Sequence, residues 1–135
     1  FVKVIPGFFD LTHVKNPGAA FSLFSQMESP FRGILLNSVA IGVFLAVLVY
    51  SLKTPVDATR LQVGLSLVLG GAVGNLVDRF RFGSVTDFLE VYVGPHHWPT
   101  FNVADSAITV GVLLLAWDIW RKPNDETAEE SSAAA

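Results

Sequence analysis

Two stretches of this chain carry no charged side chain, and they limit what it can fold into more than any other feature. Residues 33 to 52, GILLNSVAIGVFLAVLVYSL, run for twenty positions. As an α-helix they would rise about 30 Å, the thickness of a bilayer's hydrocarbon core. Residues 61 to 77, LQVGLSLVLGGAVGNLV, are also uncharged and lie at the short end of the spanning range. A third apolar stretch covers 103 to 120, where Asp118 sits beside Trp117, Trp120, Arg121 and Lys122. Those residue types gather at a membrane–water boundary. Lipid offers no partner to a bare N–H or C=O, so such segments must satisfy their own backbone as helices. The expected fold is mainly α: a polytopic bundle of transmembrane helices. Gly70, Gly71 and Gly74 would weaken a soluble helix, but in lipid they let a neighbouring helix approach closely.

Composition agrees. Charged residues make up 16% of the chain, against about a quarter in soluble domains, and the mean hydropathy is positive. No basic run exists to hold nucleic acid. The absence of cysteine excludes disulfides and thiolate metal sites. Lys3 is followed by Pro6 and Gly7 before any long apolar run, so no secretory-leader pattern opens the chain. Residues 1 to 122 read as one membrane-embedded domain. The acidic, small-residue-rich stretch 123 to 135 reads as a disordered tail.

Between the spans, the short proline-containing link 53 to 60 makes the first two helices antiparallel neighbours. The longer link 79 to 102 is rich in aromatics and is expected to fold against the membrane surface. Residues 1 to 31 are too interrupted by Pro6, Pro17, Gly18 and Pro30 to span, and FVKVIPGFFDLTHV fits a short strand or two. Basic residues nearly balance on the two faces, so the positive-inside rule leaves the orientation open.

The polar groups are placed less evenly. Asn75, Asp78 and Arg79 close the second span; Asp87 follows in the link; Asn102 and Asp105 open the third; Asn16 lies in KNPGAAF. Each has a bland reading. Asp78 and Arg79 form an interfacial ion pair, Asn102 and Asp105 cap a helix start, Asp87 pairs with Arg79 or Arg81, and Asn-Pro-Gly makes a turn. His96 and His97 are adjacent and lack a third ligand, so they read as loop residues and no metal site is expected. Taken together, however, three asparagines and two or three aspartates fall on one membrane face. Two carboxylates held close there would share a proton, one activating water while the other protonates an amide. Asparagine amides suit the holding of a peptide backbone in a dry setting.

KNPGAAF at 15–21, GGAVGNLVDR at 70–79, SVTDF at 84–88 and FNVADS at 101–106, in this order and spacing, resemble the lipoprotein signal peptidases of the bacterial signal peptidase II family. The resemblance runs from VIPGFFDLTHV to about Arg121. It implies a four-span aspartyl endopeptidase of the bacterial inner membrane, with a small extracytoplasmic β-cradle and an active site near that face. Such an enzyme removes the signal peptide of a prolipoprotein just before a diacylglyceryl-modified cysteine. It needs no cofactor, works among membrane lipids, and is blocked by globomycin-type inhibitors. Carried over by motif, Asp87 and Asp105 are the catalytic pair, and Asn16, Gly18, Asn75, Arg79 and Asn102 line the site. Asp78 is a support paired with Arg79, and the reserve catalytic candidate. The family's first span, with its Asp-Gln-x-x-Lys stretch, has no counterpart in these residues.

Two other classes make different demands. A proton-coupled transporter subunit would place its acids near the bilayer midplane, at broken helices of repeated halves. A purely structural membrane subunit would tolerate Asp87→Asn and Asp105→Asn without effect.

Overall fold

The computed structural model describes residues 1–18 and 31–135, with the side chains of 122–128 outside that description. The elements run β1 Val2–Ile5, β2 Phe9–Asn16, α1 Arg32–Lys53, α2 Thr59–Phe82, β3 Val85–Val93, β4 His96–His97 and α3 Val103–Ala134. Three helical segments are long and apolar enough to cross a membrane: Arg32–Lys53, Thr59–Phe82 and Val103–Arg121. They contain the three stretches anticipated, two from the absence of charge and the third from its apolar run and boundary residues.

α2 is the central helix. Leu61, Leu65, Val68 and Leu76 form its buried apolar stripe at helical spacing. α1 has no fully buried residue: Leu36, Phe44, Val47 and Leu48 are half-buried, and most of its other apolar side chains are exposed, as suits a helix solvated by lipid tails. The α1–α2 turn is latched by Gln62, whose amide nitrogen donates to the carbonyls of Ser51 and Thr54, each at 3.0 Å. Its oxygen accepts from Ser51 Oγ at 2.9 Å.

Glycine sets the distance between α2 and α3. A Cβ on Gly71 would overlap the Ala104 carbonyl oxygen and lie 2.6 Å from Ile108 Cγ1. One on Gly111 would lie 2.7 Å from the Gly64 carbonyl oxygen. The two backbones approach more closely than any side chain allows. Of the three glycines expected to serve this purpose, Gly71 makes the tightest approach. Gly74 has Ala104 Cβ at 3.3 Å, and Gly70 faces open space.

α2 runs past the 77 expected from charge, to Phe82. Its end is fixed by Gly83, whose backbone is left-handed (φ 70°) and whose N–H donates to the Arg79 carbonyl at 2.9 Å. Asp78 and Arg79 do not end the helix, because both find partners inside the fold. At the other extreme, the disordered tail expected from residue 123 is instead a continuation of α3 to Ala134. The composition argument weighed lost burial and passed over intrinsic propensity. Alanine and glutamate are strong helix formers, and residues 129–134 are helical although exposed.

The four strands form one antiparallel sheet in the order β1-β2-β3-β4. Its register carries a feature that matters for the site. Leu11 pairs with Leu89, but Val14 pairs with Asp87, so β2 advances three residues while β3 advances two. That extra residue is a β-bulge. In a regular strand Asn16 would face away from Phe9 and Leu11. The bulge restores the alternation, and Asn16 joins the face that carries Val85, Asp87, Leu89 and Val91.

Candidate active site

Four separate elements place the polar groups. Asn16 ends β2, Asn75 and Arg79 lie in the last two turns of α2, Asp87 is the third residue of β3, and Asn102 with Asp105 opens α3. Asp87 is fully buried at 0% exposure, and Asn16, Asn75, Asn102 and Asp105 are all buried.

Hydrogen bonds link these groups into one chain. Asn16 Nδ2 donates to Asp87 Oδ2 at 3.0 Å, and Asn102 Nδ2 donates to Asp87 Oδ1 at 3.0 Å. Asn102 Nδ2 also donates to Asn75 Oδ1 at 3.2 Å, and Asn75 Nδ2 donates to Asp105 Oδ1 at 2.9 Å. The Asn102 oxygen accepts the Asp105 backbone N–H at 2.9 Å and caps α3. The capping reading of Asn102 is therefore correct but incomplete: its oxygen caps the helix while its amide nitrogen joins the two halves of the site. The close approach at Gly71 lies one turn from Asn75 and one residue from Asp105, so it brings the Asn75–Asp105 contact within reach.

One atom in this chain is left over. Asp105 Oδ2 is buried and accepts no hydrogen bond among the described residues. Buried carboxylate oxygens are normally satisfied, so this one is open to a donor from outside the protein.

Burial dominates the electrostatics of Asp87. Burial pushes the Asp87 carboxyl above the ordinary carboxylate range. The Asn16 hydrogen bond opposes that shift, the negative Asp105 adds to it, and the Asn102 bond and the Arg79 charge oppose it. Arg79 lies within electrostatic reach of both acids. Its Nη2 donates to the Gly18 carbonyl at 3.0 Å, while the Gly18 N–H is held by Asn16 Oδ1 at 2.9 Å. The turn at Asn16–Gly18 is thus fixed against α2. The remainder of KNPGAAF, residues 19 to 21, lies outside the described residues.

Asp87, Asp105, Asn16, Gly18, Asn75, Arg79 and Asn102 therefore meet in one place. Asp78 does not join them, and its anticipated pairing with Arg79 is not formed. Its Oδ2 accepts the Thr86 N–H at 3.0 Å, which ties the start of β3 to the end of α2. No ion pair joins Asp87 to Arg79 or Arg81 among the described residues. His97 lies in β4, its Nδ1 2.8 Å from Glu90 Oε1 and its ring stacked on Tyr92. Among the described residues no group of three or more His, Cys, Asp and Glu side chains is placed to hold a metal ion. Sequence reasoning missed the Thr86 N–H and the β2 bulge. Both are backbone features, and no side-chain type announces them.

Beside the site, Trp98 and Phe101 face Ser106, Thr109 and Val110 across an apolar cavity of about 270 Å³. The Ser106 and Thr109 hydroxyls donate to the Asn102 and Asp105 carbonyls of their own helix, so that wall stays apolar.

A family model described as signal peptidase (SPase) II matches residues 1–121. The chain is 47% identical over 126 residues to the lipoprotein signal peptidase of Syntrophus aciditrophicus, covering 93% of this chain and 78% of that one. It is 52% identical over 122 residues to the lipoprotein signal peptidase of Syntrophotalea carbinolica, covering 89% and 73%. Among solved structures it resembles a bacterial membrane enzyme determined at 2.3 Å, with a TM-score of 0.77 and 31% identity over 92% of this chain and 73% of that one. A second, determined at 1.9 Å, gives a TM-score of 0.74 and 30% identity, over 87% and 72%.

Proposed function

Given that the chain belongs to the signal peptidase II family, we propose that it is an aspartyl endopeptidase of the bacterial inner membrane. It cleaves the signal peptide from prolipoproteins just before the diacylglyceryl-modified cysteine. The observation that carries this reading is the pair of buried carboxylates, Asp87 and Asp105, joined through Asn102 and Asn75, with one Asp105 oxygen left unpartnered. A pair so coupled holds one proton between its members. One carboxylate takes a proton from water, whose oxygen bonds to the scissile carbonyl carbon. The carbonyl oxygen takes the proton of the other carboxyl, giving a diol. The diol then collapses, the C–N bond breaks, and the nitrogen leaves protonated. Arg79 tempers the negative charge of the pair, and Asn16 fixes the position of Asp87.

The site stands at the ends of α2 and α3, not at mid-helix, which supports action at the membrane surface. That end is assigned to the extracytoplasmic side, where lipid-modified precursors present their cleavage site. The apolar cavity of Trp98, Phe101 and Val110 and the lipid-facing helix surfaces suit a substrate with acyl chains and an apolar signal helix. No chemical step requires a cofactor.

The test is a gel-shift cleavage assay with full-length protein in detergent and a diacylated prolipoprotein. The wild type is expected to release the signal peptide, and globomycin to stop it. No cleavage by wild-type protein, or undiminished cleavage by Asp87→Asn, would overturn the proposal.

A further inference from the structure

The two aspartates differ in ways the peptidase reading leaves unused. Both Asp87 oxygens already accept an amide N–H, from Asn16 and from Asn102. Asp105 has one oxygen taken by Asn75 and one buried and open. Asp105 also sits in the first turn of a long helix, where the positive end of the macrodipole favours a negative group. Asp87 sits on a strand, and strand dipoles nearly cancel. We infer that the resting proton of the pair sits on Asp87, and that Asp105, through Oδ2, is the base that takes the proton from water. This assignment rests on the peptidase reading and adds the direction of proton flow to it.

Two arguments support Asp87 as the acid. It is the more completely withdrawn from solvent, and burial penalises charge; the direction of its titration agrees, with burial as the largest cause. Its two amide contacts favour the ionised form and oppose this, but they do not reverse it. They also leave room for a proton, because each carboxyl oxygen has two lone-pair directions and the amides occupy one on each. Arg79 acts on both acids and so does not choose between them.

The step balances. Asp105 Oδ2 gains a proton from water, and the water oxygen bonds to the carbonyl carbon. The carbonyl π pair moves to its oxygen, which takes the Asp87 proton. On collapse, Asp105 returns its proton to the leaving nitrogen, and one diol hydroxyl reprotonates Asp87. The pair ends as it began. One peptide leaves as an acid and the other as an amine.

Infrared difference spectra of full-length protein with isotope-labelled aspartate, in detergent at neutral pH, test the assignment. The wild type should show the C=O stretch of a protonated buried carboxyl. Asp105→Asn should keep that band and Asp87→Asn should lose it. Loss in Asp105→Asn with retention in Asp87→Asn, equal weakening in both, or no such band in the wild type would each overturn the assignment. A second pair of variants leaves both acids in place and guards against misfolding. Asn16→Ala removes a direct donor to Asp87 and should shift the protonated band more than Asn75→Ala, which reaches Asp87 only through Asn102; the opposite order overturns the assignment. These bands report where the proton lies whether or not a substrate is cut, so failure here is distinct from failure of the cleavage assay.

Discussion

On the proposed function Asp87 and Asp105 work as one unit, and that fixes what substitution should do. Asp87→Asn and Asp105→Asn are each expected to lower cleavage by at least about a thousandfold, and the double variant should be little worse than either, because members of a catalytic unit are non-additive. Kinetics on folded protein check this; roughly additive losses would separate the two acids. A pH dependence follows from the raised Asp87 value. The unfolded chain titrates near the ordinary 3.8, and the folded one above it. The protonated Asp87 therefore stabilises the fold. Its contribution is complete below 3.8 and is lost as pH rises through the raised folded value. Thermal unfolding across that window should show wild type losing stability relative to Asp87→Asn as pH rises. At this scale the sequence was informative about residue type. Carboxylates and amides with no reason to sit in lipid marked the site. It could not show that Asp78 takes the Thr86 N–H in place of Arg79, because that choice depends on where the backbone of β3 passes.

The helices were legible because a charge-free run of twenty residues in a chain like this admits one structure. Their ends were less so. α2 continues through Asp78 and Arg79 to a glycine cap, and only the folded partners of those two residues explain why the charges are tolerated. Substituting Gly71→Val forces a branched side chain against the Ala104 carbonyl and Ile108. Overpacking of this kind costs about 1–3 kcal/mol. It should also lengthen the Asn75–Asp105 contact, so activity should fall more steeply than the melting temperature does, while Gly70→Val, facing open space, should leave both nearly unchanged. Asp78→Ala strands the Thr86 N–H, at about 1 kcal/mol or more, and should weaken cleavage without abolishing it. A loss equal to that of Asp87→Asn would return Asp78 to the catalytic role. The β2 bulge was beyond reach of the sequence. Residues 12 and 13 look like ordinary strand positions, and their meaning lies in number, not identity.

For the molecule as a whole, the helical extension beyond Lys122 reaches away from the site. Protein ending at Lys122 should cleave within about twofold of wild type, since residues 129–135 are exposed throughout; a tenfold loss would give the extension a role. The membrane bundle and, through four ordered motifs, the family were legible in the sequence, whereas the meeting of β2, α2, β3 and α3 at one point is a property of the folded chain. The glycine contact that docks α3 on α2 also has a meaning in time. Chains emerge from the N-terminus as they are made, and Asn102 and Asp105 come after Asp87, at the cap and first turn of the helix that carries the third described span. Until that helix has entered the membrane and closed on Gly71, Asp87 stands without Asp105, its proposed base, and without its Asn102 contact. On the proposed function, the order of synthesis therefore keeps the chain inert until α3 has followed β3 into place.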